Sequence, residues 1–556
     1  VGLAALSLSA LAACTETALQ QQHKPPQQAI ASAHPLATAA GWEVLAAGGN
    51  AFDAAVAISA ALGVVEPYSS GIGGGGFWLL HRADDGKQVM VDGRERAPLA
   101  ARRDMYVDGA GNVVPGRSMD GPLAAGIPGQ PAALAHLAEH YGRLSLDQSL
   151  APAIRLAETG FAIDPHYRRM AEFRRAVLQR YAGAAQIYLQ HGEVPAPGWR
   201  LRQPALAATL KALARQGRRG FYAGDVAAKL VAGVQQAGGV WTLADLSEYR
   251  VVEREPVVFD YAGMRIISAS PPSSGGVALA TALNILSGYD LANADAAGRT
   301  HLVVEAMRRA YRDRAVYLGD PDYVAVPLRM LTDPWYAAGL RVSLRADRAT
   351  PSTALAGPAA PAQGPHTTHF SVLDRDGNRV AATLSINYPF GSGFVVPGTG
   401  VLLNDEMDDF SAKPGEPNAY GLVGADANAI APGKRPLSSM TPTFVETPEG
   451  VAILGTPGGS RIISMVLLAI LDLADGAGPD AWVELPRFHH QYLPDAVQYE
   501  PGALPEAVRS ELEALGHRLQ PLQDRYGNMQ AIWWDRALDR VQAASDPRGI
   551  GEARVE

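Results

Sequence analysis

The sequence has a single cysteine, Cys14, so no disulfide can form within the chain. After the first residues it has no stretch both apolar and long enough to span a bilayer. It also lacks a basic stripe, a heptad run and any fixed-period repeat, and its formal net charge is −8. That balance argues against a nucleic-acid partner, because phosphate contacts demand a basic face. Metal and nucleotide signatures are missing as well: no H-E-x-x-H, no cysteine cluster and no Gly-Lys-Ser/Thr loop occurs, nor any G-x-S-x-G. The run "NDEMDDF" at 404–410 misses calcium-loop spacing. It reads either as a solvated acidic turn or as a cation-binding segment.

What is present belongs to a globular chain. Apolar residues make up 47% of the 556 and charged residues 19%, enough for a large core. The first segment, "VGLAALSLSALAAC", is a short apolar run ending in small residues, as a secretory signal does. Its ending, Leu11-Ala12-Ala13-Cys14, looks like a bacterial lipobox, in which Cys14 is lipidated, although the first Lys or Arg is Lys24. A trimmed secretory signal or an Ala-rich helix is the plainer alternative. Residues 1–14 are therefore read as a signal peptide and the Gln- and Pro-rich 15–28 as a polar tether.

From about Ala29 the pattern is mixed α/β. A Gly48-Gly49 turn and an Asn50 cap open an Ala-rich helix running to about Val65. Phe77 to Arg82 and Gln88 to Asp92 read as strands joined by Asp-Asp-Gly, and residues 131–348 as mostly helical. Gly71 to Gly76 formally satisfies G-x-G-x-x-G, but it follows a helix and enters a strand, the wrong context for a dinucleotide site. A loose Ala/Pro/Gly stretch at 349–365 leads to Pro365-His366-Thr367-Thr368. Thr368 to Leu373 and Arg379 to Asn387 then form a hairpin around "DRDGN". Its register sets Thr367 opposite roughly residues 385 to 388, so Ser385 and Asn387 can lie beside it, though a hairpin with one solvated face is the more common case. In "GTPGGSR" glycine amides precede a helix-like segment, a corner suited to an anion or an oxyanion. His366, His369 and the His489-His490 pair make only a weak metal signal.

Taken together, "HPLATAAGWEVLAAGGNAFDAAVA", "GIGGGGF", "DGRERAP", "PPSSGG", "TTHFSV", "NDEMDDFSAKPG", "GKRPLSSMTPT", "GTPGGSRI", "PRFHHQ" and "SDPR" resemble the γ-glutamyltranspeptidases, of the N-terminal-nucleophile hydrolase superfamily. The resemblance implies a four-layer αββα sandwich and a precursor that cuts itself between His366 and Thr367. Residues 29–366 would form the large subunit and 367–556 the small catalytic one, held together as a heterodimer. It implies Thr367 as nucleophile and, through its freed amine, base, with Thr368 supportive. Gly458 and Gly459 amides would bind the oxyanion, and Ser385, where many relatives have threonine, would assist the nucleophile. Arg94, Ser438 and Ser439 would hold the substrate α-carboxylate, and Asn387, Glu406 and Asp409 its α-ammonium. Tyr420, in "AKPGEPNAYGLVG", would gate a lid. The implied activity is cleavage of γ-glutamyl compounds such as glutathione, with transfer to water or to amino acid or peptide amines, without a cofactor. The implied place is the periplasm or a lipid anchor at a bacterial envelope. A cephalosporin (glutaryl) acylase of the same superfamily is the alternative, and a noncatalytic lipid-anchored binding protein a further one.

Overall fold

The computed structural model describes residues 24–357, 367–413, 415–416, 418 and 421–556. Cys14, His366 and Tyr420 lie outside the described residues.

Two antiparallel sheets stack face to face. The first has seven strands, in the order Glu552–Val555, Ala29–Ser32, Thr368–Leu373, Arg379–Ser385, Gly75–His81, Gln88–Gly93, Val252–Arg254. The second has six, in the order Arg540–Ser545, Gln530–Asp535, Gly450–Gly455, Thr443–Glu446, Met264–Ser268, Val257–Tyr261. Strand alternation assigns the two faces of the first sheet. Phe77, Leu79, Leu373 and Ala381 join Ile267, Phe444, Ile453 and Ile532 in the layer between the sheets. Trp78, Leu80, Phe370, Val372 and Val380 point the other way, onto the Pro35–Ala46 and Ala51–Val65 helices. Helices Gly275–Leu286, Ala296–Tyr317 and Ile462–Ala474 cover the second sheet. The result is the αββα sandwich.

The central helix begins where the sequence places it. Asn50 accepts from the backbone of Phe52 and Asp53, and Asp53 returns a bond to the Asn50 N–H, a complete capping box. All of Ala51–Val65 is buried, so its small residues serve close packing on both sides. Ser59 within it receives the indole N–H of Trp78 at 3.1 Å, tying helix to sheet.

The region 131–348 is mostly helical, as its pattern suggests, but it also holds the strands Val252–Arg254, Val257–Tyr261 and Met264–Ser268. In Val257–Tyr261 burial alternates strictly, with Val257, Phe259 and Tyr261 inward and Val258 and Asp260 outward. That period of two is the signature of a half-buried strand. The tether expected over 15–28 is described only from Lys24, which ion-pairs with Asp376, while Gln28 exchanges two backbone hydrogen bonds with Glu556.

Candidate active site

The site is built where the Thr368–Leu373 strand begins, between the two sheets. The Thr368–Leu373 and Arg379–Ser385 strands pair with His369 opposite Thr383 and Thr368 opposite Leu384. One step further sets Thr367 opposite Ser385, at the near edge of the expected window. Thr367, His369 and Ser371 share the face toward the second sheet, where the Ser371 hydroxyl donates to the Gln530 carbonyl. Thr368 faces the helical layer and donates to buried Glu66 at 2.8 Å. Burial pushes the Glu66 carboxyl up to about 7.

Ser385 and Asn387 are held by the end of their strand. The Asn387 N–H donates to Ser385 Oγ at 2.7 Å, and Asn387 sits at φ 72°, a left-handed conformation asparagine tolerates better than most residues. With one lone pair engaged, Ser385 Oγ keeps its proton for a neighbouring oxygen. The glycine run has a packing role here. A Cβ on Gly74 would lie 2.2 Å from the Ser385 carbonyl oxygen, and one on Gly73 1.9 Å from that of Leu402.

Thr367, Ser385, Asn387, Arg94, Asp409, Ser438, Ser439 and Gly459 line one open pocket. Arg314, Leu422, Met440, Ser460 and Ile462 complete its wall. Two of the residues singled out in the sequence stand just behind it. Glu406 lies against Arg94, and Gly458 precedes Gly459 where the Gly450–Gly455 strand turns into the Ile462–Ala474 helix. Gly458 and Gly459 have φ of 144° and 56°, and neither amide donates to another group among the described residues.

Arg94 is fully buried and surrounded by acids. Its Nη2 pairs closely with Asp409, its Nη1 lies 2.9 Å from Glu406 and 3.5 Å from Glu95, and its Nε donates to the Pro436 carbonyl. Burial opposes its charge, but Glu406, Asp409 and Glu95 outweigh burial and raise its pKa. Burial likewise raises Glu406, Asp409 and Glu95, with Arg94 pulling each back down. The acidic run is thus no solvated turn. Asn404 organises it, accepting from the Glu406 and Gly126 N–H groups and donating to the Gly73 and Gly126 carbonyls.

Sequence reasoning passed over Arg314, Asn404 and the bracing role of Ser273-Ser274. Ser274 donates to the Ser438 carbonyl through both its hydroxyl, at 2.7 Å, and its N–H, at 2.8 Å. Ser273 Oγ donates to the Met440 carbonyl, so "PPSSGG" clamps the segment that presents Ser438 and Ser439. The histidines are engaged in hydrogen bonds. His369 meets Thr383 and Ser371, His489 meets Ser464 and Gln491, and His490 meets Asp495 and the Tyr492 N–H. Among the described residues one group, His301, Glu305 and His517, clusters closely enough to consider a metal. Arg308 and Arg309 already occupy the Glu305 carboxylate, a poor setting for a cation.

With this geometry in hand, known proteins offer a direct comparison. Residues 37–555 match the family model described as Gamma-glutamyltranspeptidase. The glutathione hydrolase proenzyme of Pseudomonas sp. (strain A14) is 44% identical over 88% of this chain and 86% of its own. That of Escherichia coli (strain K12) is 41% identical over 95% of this chain and 91% of its own. Among solved structures, cephalosporin acylase from Bacillus halodurans superposes with a TM-score of 0.83 at 30% identity, covering 96% of both chains. The chain belongs to the Gamma-glutamyltranspeptidase family.

Proposed function

We propose that the chain is a self-processing γ-glutamyl hydrolase and transferase acting on glutathione and related γ-glutamyl compounds. The observation that carries this reading is the convergence of Thr367, Gly459 (with Gly458 directly behind it) and the Arg94–Asp409 pair on one pocket. Cleavage before Thr367 would free its α-amine, whose reference pKa of about 7.7–8.0 leaves it partly neutral near pH 7 and able to serve as base. The amine takes the Thr367 hydroxyl proton while Oγ attacks the γ-carbonyl. The Gly458 and Gly459 N–H groups receive the oxyanion, a contribution worth about 10²–10³ in rate for one donor. The C–N bond then breaks, the leaving amine takes the proton, and an ester to Thr367 remains. Water or an amine acceptor cleaves that ester and restores the hydroxyl.

Asp409 and Glu406 would hold the substrate α-ammonium, with Asn387 beside them. In the free protein both acids are compensated by Arg94, so their retention does not by itself require an ammonium ligand. The stronger argument is the surplus of acid. Glu95, Glu406 and Asp409 crowd one guanidinium, and an entering ammonium relieves that crowding whereas a glutaryl group brings no positive charge. A glutaryl acylase is the second reading, favoured by the B. halodurans likeness. Turnover of γ-glutamyl and glutaryl anilides by fresh protein decides between them. Higher kcat/KM on the γ-glutamyl anilide supports the first reading, and glutaryl preference replaces it with the second.

The reading extends to placement. Export, with lipid attachment at Cys14, rests on the apolar run and its small-residue ending. Labelled palmitate should appear in the chain expressed in a bacterial host and vanish in Cys14→Ala.

A further inference from the structure

Two guanidinium groups reach the pocket, and they are in opposite electrostatic situations. Arg94 already has anionic partners, since Asp409, Glu406 and Glu95 lie within ion-pairing distance of its Nη atoms and the Pro436 carbonyl accepts from its Nε. Arg314, from the last turn of the Ala296–Tyr317 helix, has only neutral hydrogen-bond partners. Its Nε donates to Ser274 Oγ at 3.0 Å and its Nη2 to Ser439 Oγ at 3.2 Å. Among the described residues no carboxylate lies within ion-pairing distance of it. It is nonetheless buried, with 5% of its surface exposed. A buried cation without an anionic partner is costly unless a ligand supplies the anion. Burial pulls its pKa down to about 10, with Asp409 opposing, so it stays charged at neutral pH.

We propose that Arg314 is a specificity-determining positioning residue, selecting acyl groups that carry a carboxylate by supplying the positive charge behind Ser439. The assignment rests on the pocket being the acyl site described above. Because Ser439 Oγ accepts from Arg314, its own proton is free to point into the pocket and donate to a carboxylate oxygen. Arg314 also holds Ser274, whose two bonds to the Ser438 carbonyl set the height of the adjacent hydroxyl. Arg94, pulled toward Asp409 and Glu406, is then not the sole source of positive charge for the ligand. A decarboxylated acyl group leaves Arg314 with nothing to pair, whether or not the group keeps an amine.

Three anilides separate the possibilities: γ-glutamyl, with amine and carboxylate; glutaryl, with carboxylate only; and 4-aminobutyryl, with amine only. For processed Arg314→Gln the expected result is KM raised about tenfold or more on the γ-glutamyl and glutaryl anilides, with kcat within about threefold. On the 4-aminobutyryl anilide kcat/KM should stay at the parent value. Arg314→Lys, which keeps the charge but loses the fork, should fall between parent and Arg314→Gln. Equal losses on all three anilides, or no change on any, overturn the proposal. So does failure of both variants to give soluble, cleaved protein, which would make Arg314 a scaffold residue. The parent's own preference is a separate matter. A parent that favours glutaryl over γ-glutamyl overturns the functional reading and leaves the Arg314 comparison intact, because both groups carry the carboxylate.

Discussion

At the scale of single residues, the site depends on which lone pairs and protons are already committed. Ser385 Oγ accepts from the Asn387 N–H, so its proton is available to Thr367 across the hairpin. Serine performs this without the χ1 restriction that a β-branched side chain brings. Ser385→Thr should therefore mature faster, with an apparent half-time of precursor cleavage shortened about two- to fivefold, equivalent to less than about 1 kcal/mol of rotamer restriction. Pulse-chase on denaturing gels measures it, and unchanged or slower cleavage removes the argument. Arg314 shows why part of the site was hidden in the sequence. It lies in "RRAYRDRAVY", where alternating charge reads as a solvated helix face, yet Arg308, Arg309, Asp313 and Arg314 are all buried. Only the partners, distant in sequence, reveal that the charge points inward. Arg94, Asp409 and Ser439 were identifiable because each stands in a distinctive short motif, but their mutual pairing was not.

At the scale of elements, local signals specified local structure. The Asn50 capping box and the Asp374–Asn378 turn both appear where side-chain chemistry predicts, since each is closed by bonds within a few residues. The hairpin register follows from that turn and carries Thr367 to Ser385. The strands at 252–268 were lost among flanking helices although Val257–Tyr261 alternates cleanly. The stacking of the sheets came only with the family resemblance, and sheet order could not be read from the residues, because neighbours such as Ala29–Ser32 and Glu552–Val555 come from opposite ends of the chain. Packing between the sheets gives a test near Thr367. A Cβ on Gly455 would fall 2.3 Å from Cε1 of buried His369, two residues along the strand face from Thr367. Gly455→Ala should cost about 1–3 kcal/mol of stability and lower kcat as the ring is displaced. Denaturant unfolding and anilide kinetics check both, and a variant equal to the parent in each would show that the ring yields freely.

At the scale of the whole molecule, the two halves expected from self-cleavage cannot part without breaking both sheets. Ala29–Ser32 lies between Glu552–Val555 and Thr368–Leu373, and Met264–Ser268 pairs with Thr443–Glu446. The fragments should therefore co-elute under native conditions and separate only when denatured. Stability should also depend on pH through Glu66, whose carboxyl burial lifts from its ordinary 4.5 to about 7 against the pull of the Thr368 and Tyr68 hydroxyls. Between those values the folded chain keeps a proton that the unfolded chain has released, so this group's contribution falls as pH rises, by up to about 3 kcal/mol. Glu66→Gln cannot titrate and retains an acceptor for Thr368. Its Tm relative to the parent should climb between pH 5 and pH 8, and a constant difference would exclude Glu66 as the source. The central claim is that Thr367 becomes a chain terminus. Amino-terminal sequencing of the smaller band from fresh, soluble protein tests it most directly. The sequence should begin Thr-Thr-His-Phe-Ser-Val, with Thr367→Ala giving one uncut band. A single full-length band from the parent, or a cut at another residue, would contradict the account.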